Sequence, residues 1–117
     1  MAKVKNMGRL HLGEFEELVL LIAAILYEEA YAVAIKEEIA SKSGRVVNIS
    51  AVHKALYRLE EKGMLESVMS EPVSKRGGKR RRLFRITPIG KKALDESIEL
   101  RSSLYNQVPA KAFQWSQ

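Results

Sequence analysis

The sequence of 117 residues has no cysteine and only two histidines, His11 and His53. Without a thiol, a disulfide framework, a thiolate metal site and a cysteine nucleophile are excluded. The two histidines are too far apart in the sequence to suggest a zinc site or a catalytic dyad. The acidic pairs Glu37-Glu38 and Glu60-Glu61 are typical of solvated helix faces. The sequence therefore predicts that the protein is not an enzyme and needs no metal or other cofactor.

Long apolar runs are also missing. The longest, from Leu18 to Tyr27, is too short to cross a bilayer. The first residues, Met1 to Asn6, lack the apolar centre of a signal peptide. The absence of cysteine fits a reducing compartment. We expect a single soluble domain that lies in the cytoplasm and does not bind a membrane.

Positive charge is present in excess, and much of it is concentrated in one place. The formal net charge is +6, and residues 75–85 carry seven of the 20 Lys and Arg residues and no acid. The rest of the chain has 13 basic against 14 acidic residues. Gly77 and Gly78 permit a tight turn, and strand-like runs at 64–70 and 83–87 flank it. This pattern predicts a basic hairpin that contacts an anionic partner.

Apolar periodicity predicts four helices, at about residues 14–28, 31–42, 50–62 and 88–105. Ser50 is the expected N-cap of the third helix, and Val46 to Ile49 reads as a short strand-like link before it. Thr87 and Pro88 form an N-cap and a first helical position for the last helix. The first helix is apolar almost all round, which is typical of a helix that also packs against a partner subunit.

The order of these elements is that of a winged helix-turn-helix. We expect an α+β fold, mostly α, with a two- to three-stranded β wing and a C-terminal dimerisation helix. Three segments follow: a flexible basic arm over residues 1–12, the DNA-binding winged helix-turn-helix over 13–87, and the dimerisation helix with its tail over 88–117.

In this fold the third helix would enter the major groove and the wing would lie along the phosphate backbone. The candidate recognition residues are Ser50, Ala51, His53, Lys54, Tyr57 and Arg58. The candidate wing residues are Lys75, Arg76, Gly77, Gly78, Lys79, Arg80 and Arg81. Taken alone, this helix could equally be an ordinary amphipathic helix with a solvated face, and the basic hairpin after it favours DNA binding.

Several segments resemble the PadR family of phenolic-acid-responsive transcriptional repressors and their relatives. The resemblance runs from about Leu12 to Leu94. It rests on segments at residues 12–17, 30–35, 50–63, 76–81 and 86–90. It implies a homodimeric winged-helix repressor of the short subfamily, whose first and last helices pair across the dimer. The family usually has Tyr where His53 stands and Gly where Ala32 stands.

The resemblance, together with the over-apolar first helix, suggests where a second subunit would bind, and the aromatic residues near the C-terminus suggest where an effector would bind. The candidate dimer-interface residues are Phe15, Leu18, Ile22, Leu94, Ile98 and Leu104. Tyr105 and Trp115 are candidate contacts for a small hydrophobic effector. The other interpretation is that these aromatic side chains, with Phe113, anchor the tail on the core or on the dimer seam.

The leading hypothesis is a homodimeric repressor that binds a double-stranded DNA operator and is released by a small-molecule effector. The alternative is a winged-helix interaction module that binds an acidic protein partner with its wing. A third hypothesis is binding to double-stranded RNA.

Overall fold

The computed structural model describes residues 11–71 and 80–115. These residues form four α-helices: α1 (Glu14–Leu26), α2 (Ala32–Ser43), α3 (Ile49–Glu61) and α4 (Pro88–Gln107). Two strands, β1 (Leu65–Met69) and β2 (Arg82–Ile86), lie between α3 and α4. Single 3₁₀ turns at Tyr27–Glu29 and Ala110–Phe113 follow α1 and α4. The predicted mostly α winged helix-turn-helix fold is confirmed, as is the predicted order of the four helices and the two wing strands.

The core lies where α1, α2 and α3 pack together and against the inner face of the two strands. Its largest fully buried side chains are Phe84, Leu20, Ile35, Ile39, Leu56, Leu59, Met64, Leu65, Val19 and Val52. α1 supplies four apolar side chains to this core, whereas α2 supplies two at i and i+4. Gly44 ends α2 with φ 72°, the left-handed conformation that glycine adopts without a steric penalty.

The wing strands are antiparallel, with Leu65 opposite Ile86 and Met69 opposite Arg82. The Phe84 N–H donates to the Ala30 carbonyl oxygen at 3.0 Å, which joins β2 to the segment before α2. Among the described residues the sheet has two strands. The middle of β2 is thereby held against the helical core.

The link before α3 differs from the prediction. Residues 46–48 form no strand, and α3 begins at Ile49, so the strand-like interpretation of Val46 to Ile49 was wrong. Asn48, not Ser50, is the N-cap: its Oδ1 accepts from the Ala51 N–H at 2.8 Å. An Asn side chain reaches the amide three residues on as well as Ser does, and this start leaves Ser50 within the first turn.

α4 begins as predicted. Thr87 Oγ1 accepts from the Gly90 N–H at 3.0 Å and donates to the Gly63 carbonyl oxygen at 2.5 Å, with Pro88 at the first helical position. Gly90 packs so closely on the segment between α3 and β1 that an added Cβ would overlap the Met64 carbonyl oxygen. The first turn of α4 is therefore fixed on the winged-helix body.

A buried carboxylate marks the last point at which α4 contacts the body. Glu17 of α1 is 6 % exposed. Its Oε1 accepts from Ser97 Oγ at 2.9 Å and pairs with Arg101 Nη2 at 2.7 Å. Beyond this contact, every described residue from Ile98 to Trp115 is exposed.

Within residues 11–71 and 80–115, no single helix is long and apolar enough to cross a membrane. Glu14–Glu29 and Ala32–Ser43 reach that length and composition only as a pair bent by 120°.

Candidate nucleic-acid interface

α3 presents the predicted recognition residues on its outer face. Ser50, His53, Lys54, Tyr57 and Arg58 are exposed, and Ala51 is half-buried. The opposite face buries Val52, Ala55, Leu56 and Leu59. The rings of His53 and Tyr57, one turn apart, stack with centroids 6.2 Å apart. The outer face therefore combines cations, aromatic rings and small residues, which are the groups needed to contact phosphates and base edges.

The C-terminal end of α3 is tied to the start of α1. Lys62 Nζ lies 2.6 Å from Glu16 Oε1 and donates to the His11 carbonyl oxygen at 3.3 Å. Burial raises the pKa of Glu16, but the bonds from Lys62 and from the Gly13 N–H outweigh it and leave that pKa below its ordinary value. Lys62 is thus engaged within the protein, and Lys54 and Arg58 are the cations that α3 offers outward.

A second ion pair fixes the link that precedes α3. Arg45 Nη1 lies 2.7 Å from Glu14 Oε2, and its guanidinium stands 5.2 Å from the centre of the Phe15 ring. The hydrogen bond from Arg45 lowers the pKa of Glu14, and the same bond raises the pKa of Arg45. This basic residue supports the approach to α3 and is not free to bind a ligand.

The wing is described only at its base. Lys75, Arg76, Gly77, Gly78 and Lys79 lie outside the described residues.

At that base, Ser70 holds the two remaining wing candidates. Its carbonyl oxygen accepts from Arg80 Nε at 3.0 Å, and its Oγ accepts from the Arg81 N–H at 3.0 Å. The Ser70 N–H donates to the Arg81 carbonyl oxygen at 2.7 Å. These bonds continue the ladder of β1 and β2 by one residue pair beyond the strands.

The side chains of Arg81 and Arg82 have different environments. The Arg81 guanidinium lies over the Tyr31 ring, 4.2 Å from its centroid. Arg82 Nη1 donates to Ser67 Oγ at 2.9 Å, and Ser67 in turn donates to Glu60. Arg82 therefore belongs to a chain of hydrogen bonds that crosses from β2 through β1 to α3, whereas Arg81 is held by an aromatic face.

A cleft of about 340 Å³ separates the start of α2 from α3 and the wing base. Its walls include Tyr31 and Ala32, then His53 and Tyr57, then Arg81. The sequence had pointed to His53, Tyr57 and Arg81, and the structure brings these three together. Tyr31 was missed because an aromatic residue at a helix start reads as an apolar core position, and only the fold reveals Arg81 above it.

The candidate dimer residues fall into two groups. Ile22 and Leu94 are 2 % and 7 % exposed and lie in the core of one protomer. Phe15 and Leu18 are half-buried, whereas Ile98 and Leu104 are exposed. Ile22 and Leu94 are thus already covered by their own protomer, whereas Ile98 and Leu104 remain open to a partner.

The candidate effector residues lie at the far end of the chain and are solvent-exposed. Trp115 is 75 % exposed, and the Tyr105 ring stacks on Phe113 with centroids 6.0 Å apart. In the part of the chain that the structure describes, no cluster of three or more His, Asp or Glu side chains could hold a metal ion.

Known structures and families give a consistent result. A family model described as the transcriptional regulator PadR-like family matches residues 20–96. A PadR family transcriptional regulator from Eggerthella lenta is similar at 27 % identity and a TM-score of 0.66, over 88 % of each chain. A transcriptional regulator from Clostridium thermocellum is 27 % identical with a TM-score of 0.61, over 79 % of this chain and 86 % of that one.

A third structure, a PadR family regulator from Clostridium difficile, is 25 % identical with a TM-score of 0.61, over 81 % of this chain and 97 % of that one. Comparison with curated protein sequences gave no match. The family match covers well over half of the chain, from within α1 to the first half of α4. The chain therefore belongs to the PadR-like family and is a DNA-binding transcriptional regulator, not an enzyme.

Proposed function

We propose that the protein is a homodimeric repressor that binds a pseudo-palindromic operator, acts in the cytoplasm and is released by a small hydrophobic effector. The main support for DNA recognition is the outer face of α3, where His53, Lys54, Tyr57 and Arg58 are exposed. The base of the basic wing is held in place beside this face by the bonds of Ser70. The α3 side chains would read base edges, and the wing cations would add affinity that depends little on sequence.

The dimer is proposed from the apolar side of α4. Leu104 and Val108 lie two and three helical turns beyond Ser97, on the side of α4 that faces the core at Ser97. Both are exposed, as is Ile98. An apolar helix side that continues past the end of its own core is suited to pack against the same surface of a second copy.

In such a dimer, two α3 helices would enter successive major grooves about one helical turn apart. An effector bound near Tyr105 and Trp115, at the dimer seam, would change the distance between the two α3 helices. Because only one spacing matches the operator, a small change at the seam would lower affinity for DNA.

DNA binding is tested by fluorescence anisotropy with the duplex upstream of the protein's own gene and with duplexes selected from a random pool. We expect Lys54→Ala and Arg58→Ala to weaken binding, each lowering the slope of log K against log salt by roughly 0.9 if it removes one phosphate contact. Lys92→Ala, which removes one exposed charge from α4, is the matched control and should leave that slope unchanged. Failure of the unmodified protein to bind any duplex at low salt would sink the proposal.

Dimerisation is tested by light scattering on Ile98→Glu/Leu104→Glu. The double variant should be monomeric, because two charges would be buried in the seam. Asn106→Glu, half a turn out of phase with Ser97 and Leu104, is the control and should remain dimeric. A monomeric unmodified protein would contradict the dimer without touching DNA binding.

The alternative is an interaction module that binds an acidic protein. Lys79→Ala/Arg80→Ala separates the two functions. A DNA-binding wing requires weaker DNA affinity and a shallower salt slope, whereas an interaction module predicts unchanged DNA binding and loss of the acidic partner.

A further inference from the structure

Arg81 is held at both ends before any ligand arrives. Its backbone exchanges hydrogen bonds with Ser70, at 3.0 Å from its own N–H and 2.7 Å to its own carbonyl oxygen. Its guanidinium lies 4.2 Å from the centre of the Tyr31 ring. Stacking on an aromatic face restricts the rotamers of a long side chain, so less freedom is lost when the guanidinium binds a ligand.

The same side chain has an unused donor. Arg81 Nε is buried and has no hydrogen-bond partner among the described residues. Within those residues Arg81 also pairs with no carboxylate, in contrast to Arg45, Lys62 and Arg101. Buried donors are almost always bonded in native proteins, so an unpaired guanidinium N–H points to a missing acceptor.

The cleft beside Arg81 has room for that acceptor. It measures about 340 Å³, and its far wall is formed by His53 and Tyr57 of α3. Both side chains can donate hydrogen bonds, and no acid is among the residues that line the cleft. The cleft therefore lies between α3 and the wing base, and its walls offer hydrogen-bond donors and no acid beside the apolar side chains of Val33 and Phe84.

We propose that this cleft seats one backbone phosphate of bound DNA, bonded by the Arg81 guanidinium, with His53 and Tyr57 donating from the opposite wall. Tyr31 is a positioning residue: it acts by holding Arg81. A phosphate gripped between wing and α3 would fix the register of the recognition helix on the duplex, as backbone contacts generally do. This inference rests on the proposed DNA binding and assigns one phosphate of the DNA backbone to this cleft.

The experiment compares five variants by anisotropy between 50 and 200 mM salt, the range over which phosphate contacts dominate the change in affinity. Arg81→Ala should weaken binding about tenfold and lower the salt slope by roughly 0.9, the value for one phosphate. Tyr31→Ala should weaken binding about threefold and Tyr31→Phe should match the unmodified protein, because the ring and not the hydroxyl holds Arg81. Arg85→Ala, on β2 but outside the cleft, is the charge-matched control and should leave the slope unchanged.

The double variant Tyr31→Ala/Arg81→Ala gives the readout that a merely structural role of Tyr31 would not reproduce. If Tyr31 acts through Arg81, the double variant binds no more weakly than Arg81→Ala. A scan of the duplex with neutral methylphosphonate linkages then locates the phosphate. One linkage should weaken binding of the unmodified protein and have no effect on Arg81→Ala.

Three results would overturn the inference while leaving the proposed function intact: an Arg81→Ala variant with unchanged affinity and slope, full additivity of the two substitutions, or no linkage sensitive to Arg81. If Tyr31→Ala does not fold, the Arg81 variants and the linkage scan decide the question alone. Absence of DNA binding by the unmodified protein would instead contradict the proposed function itself.

Discussion

The winged-helix body and the distal half of α4 use similar apolar side chains in opposite ways. Between Leu12 and Leu94, apolar residues from α1, α2, α3 and both strands form one buried core. From Ile98 onward, Leu104, Tyr105 and Trp115 are all more than half exposed. The body buries a continuous apolar core within its own fold, whereas the distal part, as far as Trp115, has no buried residue and leaves its apolar side chains available to a partner.

The boundary between the two regions is a single polar contact. Glu17 on α1 meets Ser97 and Arg101 on α4, at the last turn that touches the body. On the N-terminal side of it, Gly90 and Leu94 are packed; on the C-terminal side, α4 projects for about two further turns without support. Substitutions in the body should therefore lower the free energy of unfolding, whereas substitutions in the distal part of α4 should mainly weaken association with a second subunit.

The largest expected effect comes from truncating the body. Leu56→Ala removes a fully buried side chain of α3 and should lower the free energy of unfolding by about 3 kcal/mol, through lost burial and a cavity. Leu104→Ala, the same change at a residue 55 % exposed, should cost less than about 0.5 kcal/mol in a monomer. Urea denaturation at low protein concentration measures both.

Leu56→Ala and Leu104→Ala are then compared again at a higher protein concentration. The cost of Leu104→Ala should grow under conditions that favour dimers, since a dimer adds the stability of its interface. The cost of Leu56→Ala should not. Equal costs at low concentration would contradict the division between body and distal helix.

Gly90→Ala tests the joint from the packed side. In an exposed helix this change would stabilise, by about 1 kcal/mol. Here the new methyl group would overlap the Met64 carbonyl oxygen and press on Ile86, so we expect a net loss of about 2 kcal/mol. Lys92→Ala, an exposed position one half-turn later, should change stability by less than about 0.5 kcal/mol. Stabilisation by Gly90→Ala, measured by thermal denaturation, would show that the first turn of α4 is not fixed on the body.

Local chemistry made much of the fold predictable. The predicted Thr87-Pro88 start of α4 was confirmed, and it depends on residues within one turn of each other. The end of α2 at Gly44 is set just as locally. The start of α3 was misplaced because Asn48 and Ser50 are both good N-caps, and only the path of the chain after α2 selects between them.

The contacts that join distant segments could not be predicted in this way. Glu17 bonds to Ser97, 80 residues away, and Arg81 stacks on Tyr31. Neither pair has a periodic or local signature, because the fold alone brings the partners together. The periodicity of α1 likewise could not say whether Ile22 faces its own core or a partner, and the structure shows the core.

Glu17→Ala tests the boundary contact itself. Loss of the two bonds should lower the free energy of unfolding by about 1.5 kcal/mol, since Glu17 is buried while the freed Arg101 is more than half exposed to solvent. In hydrogen exchange, the amide protons of α4 around Ser97 should be less protected, whereas the protection of the α3 amides should not change. The matched control is Glu99→Ala on an exposed turn of the same helix. Equal protection in both variants would mean that packing at Gly90 and Leu94 alone holds α4.

The smallest expected effect is a pH dependence confined to the body. Because Lys62 and the Gly13 N–H hold the pKa of Glu16 below its ordinary value of 4.5, the ionised form is favoured by folding. Its contribution to stability is therefore complete above about pH 4.5 and is lost as the pH falls through the lower, folded-state value. Glu16→Gln should cost less than about 1 kcal/mol at pH 7 and progressively less toward pH 3, so that the two unfolding curves converge in acid. Glu28→Gln, at an exposed position in the turn after α1, should show no such convergence. A constant difference between Glu16→Gln and the unmodified protein across that range would mean that shape, and not charge, accounts for the contact between α1 and the end of α3.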